Sequence, residues 1–274
     1  MTLGVQPAVS VIVISHNTRD LTMQCLHSLS VFENIQTIVV DTGSSDGTPD
    51  AVKSLGLHLI SASVSTGYAA ASHLGVKQAS SENLIICNAD TVFQIESIEP
   101  LISALNDKGV GIAGPRLINS DGTLQQSWAR FPDVASEWSG ALDRSEVDDP
   151  RSGTHMVSWV GGACIAMKRS TWDVLNGYNP DIMFYGEDSD LCWRARQTGL
   201  RTVFVADAIV THHGGQSSTS RSPLWLRRHL LVARLRDLRT VHGPLMAVPA
   251  QIIAIARFII WVMKGFGTPG AHRN

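Results

Sequence analysis

The chain has little charge and no excess of either sign. Of its 274 residues, 17% are charged, and the formal net charge is −2. Soluble domains typically have about 25% charged residues, so much of this chain is expected to be buried or membrane-facing. Nucleic-acid binding through phosphates needs a basic excess, so we expect no nucleic-acid partner. The apolar share of 44% supports a real core, in one large α/β domain or two small ones.

Cysteine is scarce as well. The four cysteines have no Cys-x-x-Cys spacing, and three lie within apolar runs, where a thiol acts as a small hydrophobic group. The pattern indicates neither a zinc site nor a disulfide framework and favours a reducing, cytoplasmic compartment. A basic leader is also lacking, and the apolar run Val9–Ile14 is too short for a signal sequence. We therefore expect a cytoplasmic protein.

Short apolar runs alternate with helical patterns in the first hundred residues. The runs Val9–Ile14, Ile38–Val40 and Leu84–Cys87 predict strands buried on both faces. Thr48–Pro49 is typical of a helix start and Gly56 of a helix end. This order predicts a mainly parallel sheet covered by helices, with ligands beyond the carboxyl ends of the strands.

Polar side chains follow these runs. Asp41 comes directly after the second run, where a carboxylate can accept hydrogen bonds from a ribose or a base. Asn88 and Asp90 follow the third run, and alternation along an extended chain places them on one side. Oxygen ligands there suit a divalent cation whose shell is completed by diphosphate and water. Taken alone, each motif is more typical of turns or helix caps.

The second half supplies further candidates. The polar segment 119–155 predicts a long loop, after which structure resumes at Val157. Glu187 and Asp188 begin a predicted helix, where a carboxylate is either an N-terminal cap or a general base. His212 follows a strand-like run and is a candidate metal or phosphate ligand.

The C-terminal region combines basic and apolar helical patterns. Residues 224–241 carry five arginines against a single acid, Asp237, and residues 245–263 are largely apolar. Arg257 near the middle of the apolar stretch makes a membrane span costly. Two interpretations stay open: an interfacial membrane anchor, which we favour, or a helix packed on the domain or on a second copy in a homodimer.

In this order and spacing, the motifs resemble the inverting family-2 glycosyltransferases, most closely their rhamnosyltransferase-like branch. The resemblance spans residues 8–218. It implies an α/β GT-A fold: a single Rossmann-like, mainly parallel sheet flanked by helices, with a C-terminal helical extension. We predict a glycosyltransferase domain at 1–220, with a nucleotide-sugar half at 1–118 and an acceptor half at 156–218, then a tail at 221–274. The matching stretches are VSVIVISHN, IVVDTGSSDGT, STGYAAASHLGV, IICNAD, VGGACIAMKRSTW, GYNPDIMFYGEDSDLCWRARQTG and VTHHGGQSS.

The resemblance also implies roles for individual residues. Asp188 occupies the position of the catalytic base, while Asp90 and His212 are the metal ligands, for Mg²⁺ or Mn²⁺. Donor-binding positions are Ser15, Asn17, Asp41, Gly67 and Asn88, and acceptor-side positions are Trp159, Gly161, Gly162 and Glu187. The chain departs from the family pattern at three positions: Asn88 replaces Asp, Ser65 stands where Asn is common, and His73 replaces a following Asn.

The implied reaction is attack of an acceptor hydroxyl on the anomeric carbon of a nucleotide-diphosphate sugar, with inversion and help from the cation. The donor would be dTDP-rhamnose or a UDP-sugar. The acceptor would be a glycan or lipid-linked glycan of cell-wall or polysaccharide biosynthesis, reached by peripheral attachment at the inner face of the membrane. Alternatives are a nucleotidyltransferase, which does not account for GEDSDLCWR followed by HHGG, and a non-catalytic sugar-nucleotide-binding protein.

Overall fold

A computed structural model describes residues 7–64, 66–139, 150–214 and 222–264. The strands are β1 (Val9–Ser15), β2 (Ile35–Asp41), β3 (His58–Ser61), β4 (Asn83–Asn88), β5 (Thr91–Phe93), β6 (Val110–Ile118), β7 (Leu124–Gln125), β8 (Trp128–Ala129), β9 (Thr154–Val157), β10 (Trp159–Val160), β11 (Cys164–Lys168) and β12 (Arg201–His212). The helices are α1 (Arg19–Leu29), α2 (Thr48–Ser54), α3 (Tyr68–Gln78), α4 (Ile98–Ala104), α5 (Val134–Ser139), α6 (Arg169–Leu175), α7 (Glu187–Gln197), α8 (Pro223–His242) and α9 (Val248–Met263).

One sheet organises the molecule, with its central strands in the order β3-β2-β1-β4-β11-β6-β12-β5. The first four of these strands are parallel, and β12 is parallel to β6. Strand β11 runs antiparallel to both of its neighbours, β4 and β6. The start of β11 therefore lies beside the carboxyl end of β4, which brings the second half of the chain to the predicted ligand edge.

The strands are buried on both faces, as their continuous apolar runs predict. In β1, Val11 and Val13 pack into the core on one face, while Ile12 and Ile14 pack into the core on the other. A fully buried side chain of this kind contributes roughly 1.5–3 kcal/mol to stability. Gly75 lets α3 approach the sheet, because a Cβ there would lie 2.3 Å from Cγ2 of Ile12.

The prediction of a long loop over 119–155 is wrong for the described parts of that segment. Strand β7 pairs with β6, and β9 pairs with β12. Trp128 in β8 is 2% exposed, and its ring lies 3.9 Å from that of Phe204. Two-residue strands are too short to show a hydrophobic period, which explains the error. Residues 140–149, with their cluster of acids, lie outside the described residues.

Two predicted elements have different bounds. The spacing of Ile95, Ile98 and Leu101 in the sequence predicts a helix from Ile95, but α4 begins at Ile98 and Ile95 is 78% exposed. The apolar pattern of Thr202–Val205 predicts a short strand, but these residues belong to a single strand, β12, that continues to His212. Its pairing with β6 shifts register between Val205 and Ile209. This irregularity interrupts the apolar alternation, so the sequence suggests two separate segments.

The C-terminal helices pack on the rest of the fold. Helix α8 contacts α7, and α9 contacts both α8 and α5. Leu238 of α8 is buried with two small residues, Ala247 and Ala250, at the start of α9. Glu137 of α5 pairs with Arg234, and its backbone carbonyl accepts a hydrogen bond from Arg257. Among the described residues, no helix is both long enough and apolar enough to cross a bilayer.

Candidate active site

The loop after β2 is organised around Asp41. Its Oδ1 accepts hydrogen bonds from the backbone N–H groups of Gly43 (3.1 Å) and Ser44 (2.8 Å). Its Oδ2 accepts from the hydroxyls of Ser15 (3.0 Å) and Ser44 (2.5 Å). Asp41 and Ser15 are each 1% exposed. The carboxylate therefore shapes the loop, and its predicted contact with a nucleotide would require one of these hydrogen bonds to be exchanged.

The first predicted donor loop lies directly beside it. Asn17 has a φ of 49°, and its side-chain Oδ1 accepts a hydrogen bond of 2.8 Å from the backbone N–H of Ser45. Asp46 accepts from the first backbone N–H of α1, at Arg19, over 2.8 Å. These contacts join the loops after β1 and β2 into one polar rim, with Asn17 exposed on it.

The predicted metal residues come together, but by a different geometry from the one expected. The strand ends at Asn88, and Asp90 lies in the following turn, so strand alternation does not align them. Both instead face His212 at the end of β12. The His212 Nε2 atom lies 3.3 Å from Oδ1 of Asp90 and 3.5 Å from Nδ2 of Asn88.

This donor set fits a divalent cation. Asp90 supplies a carboxylate oxygen that is almost fully buried, and His212 supplies an imidazole nitrogen at a distance short enough for one ion to contact both. The described residues contain no group of three or more His, Cys, Asp or Glu side chains that could hold a metal alone. Two protein ligands leave the remaining positions for diphosphate and water.

The segment Gly161–Ala163, which precedes β11, connects the parts of the site. The Gly162 N–H donates a hydrogen bond of 2.8 Å to Oδ2 of Asp188, at the start of α7. The next residue, Ala163, accepts a bond of 2.9 Å from the Asn88 N–H. Consecutive residues thus contact the predicted base and the predicted metal motif.

Asp188 is partly buried, and burial raises the pKa of its carboxyl group, while hydrogen bonds from the Gly162 and Ser189 N–H groups oppose the rise. Burial also raises the pKa of Glu187, assisted by the negative charge of Asp188. Oε2 of Glu187 is buried and has no hydrogen-bond partner among the described residues. Gly186, with a φ of 88°, turns the chain into α7 and brings these two acids to the helix start.

Two tyrosines near these acids were not predicted from the sequence. The Tyr68 hydroxyl donates to the Gly162 carbonyl over 3.1 Å, and its ring packs edge-on against Tyr178, with 5.6 Å between centroids. Tyr178 is fully buried, and burial, with the charges of Asp188 and Glu187, raises its pKa well above the usual value. Both tyrosines lie within the motif stretches quoted above, but an aromatic residue alone does not indicate such a position.

A third acid, Asp237, reaches this region from α8. The Ser189 hydroxyl lies 3.0 Å from each of its carboxylate oxygens. Burial raises the pKa of Asp237 to about 7, against the lowering effect of the Ser189 hydrogen bond. Its only signal in the sequence is that it is the single acid in a basic helix.

The remaining candidates have mainly structural contacts. Gly67 is the N-cap of α3 and faces Met183, while Ser65 lies outside the described residues. His73 Nε2 lies 2.8 Å from the Tyr178 carbonyl, so its side chain faces the interior. The Trp159 ring N–H donates to the Arg130 carbonyl over 3.1 Å, and the Gly161 N–H donates to the Ser127 carbonyl over 2.7 Å.

Comparison with known proteins identifies the family. Residues 10–173, more than half of the chain, match the model for glycosyl transferase family 2. The chain belongs to glycosyl transferase family 2. It is 26% identical over 224 residues to an N-acetylglucosaminyl-diphospho-decaprenol L-rhamnosyltransferase from Mycobacterium tuberculosis, a match that covers 72% of each protein.

Solved structures confirm the fold. A mannosyltransferase from Pyrobaculum calidifontis, in complex with GDP-Man and Mn²⁺, aligns with a TM-score of 0.62 and 18% identity over 95% of this chain and 76% of its own. GalNAc-T7, with UDP, GalNAc and Mn²⁺, aligns with a TM-score of 0.62 and 17% identity over 94% of this chain and 56% of its own. The family-2 glycosyltransferase described here therefore has the expected GT-A-like α/β fold and is a transferase enzyme.

Proposed function

We propose that this glycosyltransferase transfers a sugar from a nucleotide-diphosphate donor to a hydroxyl of a glycan or lipid-linked glycan, with inversion at the anomeric carbon. The observation that carries the proposal is the Gly161–Ala163 segment. Gly162 of this segment bonds to Asp188, and Ala163 bonds to Asn88 of the cation motif, which comprises Asn88, Asp90 and His212. The proposed base and the proposed diphosphate site therefore flank one short stretch of backbone. The rhamnosyltransferase relative favours dTDP-rhamnose as donor, and UDP-sugars are the alternative.

Asp188 acts as the general base in this proposal. The acceptor hydroxyl transfers its proton to a carboxylate oxygen of Asp188 while its own oxygen bonds to the anomeric carbon. The bond from that carbon to the diphosphate oxygen breaks in the same displacement, and its electron pair leaves with the nucleoside diphosphate. The raised pKa of Asp188 suits this role, since a base works best when its pKa is near the operating pH.

Asp90 and His212 would hold the cation, Mg²⁺ or Mn²⁺. When bound, such an ion acts as a Lewis acid on the leaving diphosphate. Asn88 lies beside them and contributes polar contact to the same region through its amide. Ser15, Asn17, Asp41 and Gly67 form the expected donor side, where the rim of the loops after β1 and β2 would receive the nucleoside.

On the acceptor side, Glu187 offers a buried oxygen without a partner, which an acceptor hydroxyl could satisfy. The backbone of Gly162 contacts the proposed base, and Trp159 and Gly161 directly precede this contact along the chain. The flat face of an indole ring suits a sugar face, and the ring N–H of Trp159 is already bonded to the Arg130 carbonyl.

We also propose that the enzyme works at the cytoplasmic face of a membrane, attached peripherally through its C-terminal helices. Apolar side chains of α9 are exposed at helical spacing: Ile252 is 61% exposed, Ile259 50% and Met263 79%. Exposed arginines, Arg228 and Arg239, lie on the neighbouring helix α8. The relative from M. tuberculosis is named for a decaprenol-linked substrate, which fits an acceptor held in a membrane.

The reaction class is tested by product analysis. The full chain is incubated with dTDP-rhamnose or UDP-sugars and Mn²⁺, with and without acceptor, and the released nucleotide is measured. Nucleoside diphosphate is the expected product, and proton NMR of the new linkage gives its anomeric configuration. In a parallel incubation with dTTP or UTP and a sugar 1-phosphate, pyrophosphate release would indicate a nucleotidyltransferase. Nucleotide-sugar binding without turnover of any donor, even by hydrolysis, would indicate a non-catalytic binding protein.

A further inference from the structure

A hairpin that sequence analysis assigned to a loop contacts the cation motif. Residues 119–123 connect β6 to β7, with the Asn119 N–H bonded to the Thr123 carbonyl at 2.8 Å and a left-handed Gly122 at the turn. Gln125, two residues after this turn, places its Oε1 only 2.6 Å from Nδ1 of His212. The hairpin therefore contacts the imidazole on the side opposite Asp90.

The direction of the hydrogen bonds in this hairpin is determined by a carboxylate. Asp121 accepts from both the N–H (3.0 Å) and the hydroxyl (2.6 Å) of Thr123. An ionised carboxylate only accepts hydrogen bonds, so the Thr123 hydroxyl must be the donor. Its oxygen can then only accept from the next group in this series of hydrogen bonds, the Nδ2 amide of Asn119, at 2.9 Å.

The same logic continues to the histidine. Because Asn119 uses its amide nitrogen toward Thr123, its Oδ1 faces Gln125 and accepts from Nε2 over 2.8 Å. Gln125 must then present its carbonyl oxygen to His212, so Nδ1 of His212 carries the proton. In neutral imidazole, the other nitrogen, Nε2, is left with its lone pair directed at the Asp90 side.

We propose that Gln125 is a positioning residue that holds His212 in the Nδ1–H tautomer and so keeps Nε2 available as a cation ligand. The proposal rests on the cation role given to Asp90 and His212 above. The opposite tautomer would place two acceptors, Nδ1 and Gln125 Oε1, 2.6 Å apart, a closer contact than the 3.3 Å between Nε2 and Oδ1 of Asp90, which a cation bound between the two atoms would relieve. A partner that fixes the second nitrogen of a ligating histidine typically changes metal affinity by about 10–100-fold.

Two further contacts hold the hairpin against the cation motif. The Ser120 hydroxyl lies 2.8 Å from Nδ1 of His213, and the His213 N–H donates to the Asp90 carbonyl over 2.9 Å. A Cβ at Gly214 would lie 3.2 Å from Nε2 of Gln125, so a larger residue would crowd the amide. The hairpin thus packs against the His-His-Gly segment as a unit.

The test compares Gln125→Leu, which removes the acceptor, with Gln125→Glu, which keeps an oxygen toward Nδ1–H. Gln126→Leu is the matched control, because Gln126 is the next residue and its amide contacts the Trp128 carbonyl instead. Thermal unfolding of each variant checks that the fold is retained. The first measurement is the ¹⁵N NMR spectrum of the histidine rings in cation-free protein at alkaline pH, with His212 assigned by its loss in His212→Ala.

Wild type, Gln125→Glu and Gln126→Leu should show the Nδ1–H tautomer for His212, and Gln125→Leu should show a mixture or the Nε2–H form. The second measurement is Mn²⁺ binding in the presence of UDP or dTDP, which should weaken about 10–100-fold in Gln125→Leu only. An Nε2–H tautomer in the wild type, or a Gln125→Leu variant with unchanged tautomer and Mn²⁺ affinity, would overturn the proposal. If the wild type shows the Nδ1–H form and binds no Mn²⁺, the cation role of the proposed function fails instead.

Discussion

Gly162 and Asp188 are joined by a backbone-to-carboxylate hydrogen bond of 2.8 Å. The bond orients Oδ2 of the carboxylate, while Oδ1 accepts from the Ser189 N–H over 2.8 Å. Because the donor of the first bond also belongs to the segment that contacts Asn88, the orientation of the proposed base is linked to the position of the proposed cation ligands. Substitution at Asp188 therefore tests the chemistry more directly than substitution elsewhere.

We expect Asp188→Asn to lose glycosyl transfer by about 10²–10⁴-fold, since an amide keeps the shape and can still accept from Gly162 but cannot take a proton. Donor affinity should be nearly unchanged, as measured by isothermal titration. Asp181→Asn is the control, because Asp181 is an exposed acid in the preceding loop. Turnover close to wild type in Asp188→Asn would shift the role of base to Glu187.

We expect Asp90→Ala to lose the Mn²⁺-dependent part of donor affinity, because it removes the carboxylate beside His212. Cys87→Ser is the matched control: it lies in the same strand-to-turn segment but is fully buried in the core. That variant should lower the unfolding temperature and leave the effect of Mn²⁺ intact. Titration of the donor with and without Mn²⁺ measures the effect of the cation in both variants. A wild type whose donor affinity does not depend on Mn²⁺ would contradict the metal assignment.

The contribution of Asp237 to the stability of the protein should fall as the pH rises from about 4 to about 7. Burial raises the pKa of Asp237 to about 7, so the folded chain retains a proton that the unfolded chain releases near its ordinary pKa of about 3.9. Each unit of such a shift corresponds to about 1.4 kcal/mol. Asp237→Asn stays neutral and can still accept from Ser189, so its free energy of unfolding should exceed that of wild type at pH 8 by more than at pH 4.

Urea unfolding at several pH values measures this difference. Asp173→Asn, at an exposed acid on α6, serves as control and should leave the pH dependence unchanged. Parallel curves for wild type and Asp237→Asn would show that Asp237 does not hold the proton.

We expect the full chain to bind vesicles containing anionic lipid, with binding weakened by salt. Replacing Ile252, Ile259 and Met263 with Ser should abolish it, since these exposed side chains would enter the interface. The control is the double variant Val31→Ser and Leu55→Ser, at exposed apolar positions in the N-terminal part of the chain. Co-sedimentation measures binding. A full chain that never sediments with vesicles would contradict the membrane proposal. A dimer in ultracentrifugation that the Ser variant dissociates would favour a subunit contact.

The positions of several candidate site residues at strand ends could be predicted from the sequence, because buried parallel strands give long apolar runs and the polar residues follow at their ends. Asp41, Asn88, Asp90 and His212 all occur at such positions. Strand alternation was the wrong reason to place Asn88 and Asp90 on one side, since the two instead meet at His212, where β12 reaches the turn after β4. Pairing between distant strands leaves no local pattern.

The contributions of Gln125 and Asp237 could not be predicted in the same way. Gln125 lies in a two-residue strand with no period, although the preceding Ser120–Asp121–Gly122 does indicate a turn. Asp237 reaches Ser189 only because α8 folds back onto α7, a tertiary contact that the basic pattern of the helix does not reveal.

The bond between Ser189 and Asp237 also determines how far the chain can be shortened. The segment that matches the family ends at residue 173, before the acids at the start of α7. A fragment cut at that boundary would keep Asp41 and Asp90 but lose the proposed base, Asp188. A fragment cut before α8 would keep Asp188 while leaving Ser189 without Asp237. The smallest piece of this protein that holds Glu187, Asp188 and Asp237 together therefore extends through α8, and domain swaps with other family members that are to keep this cluster need their junction beyond His242.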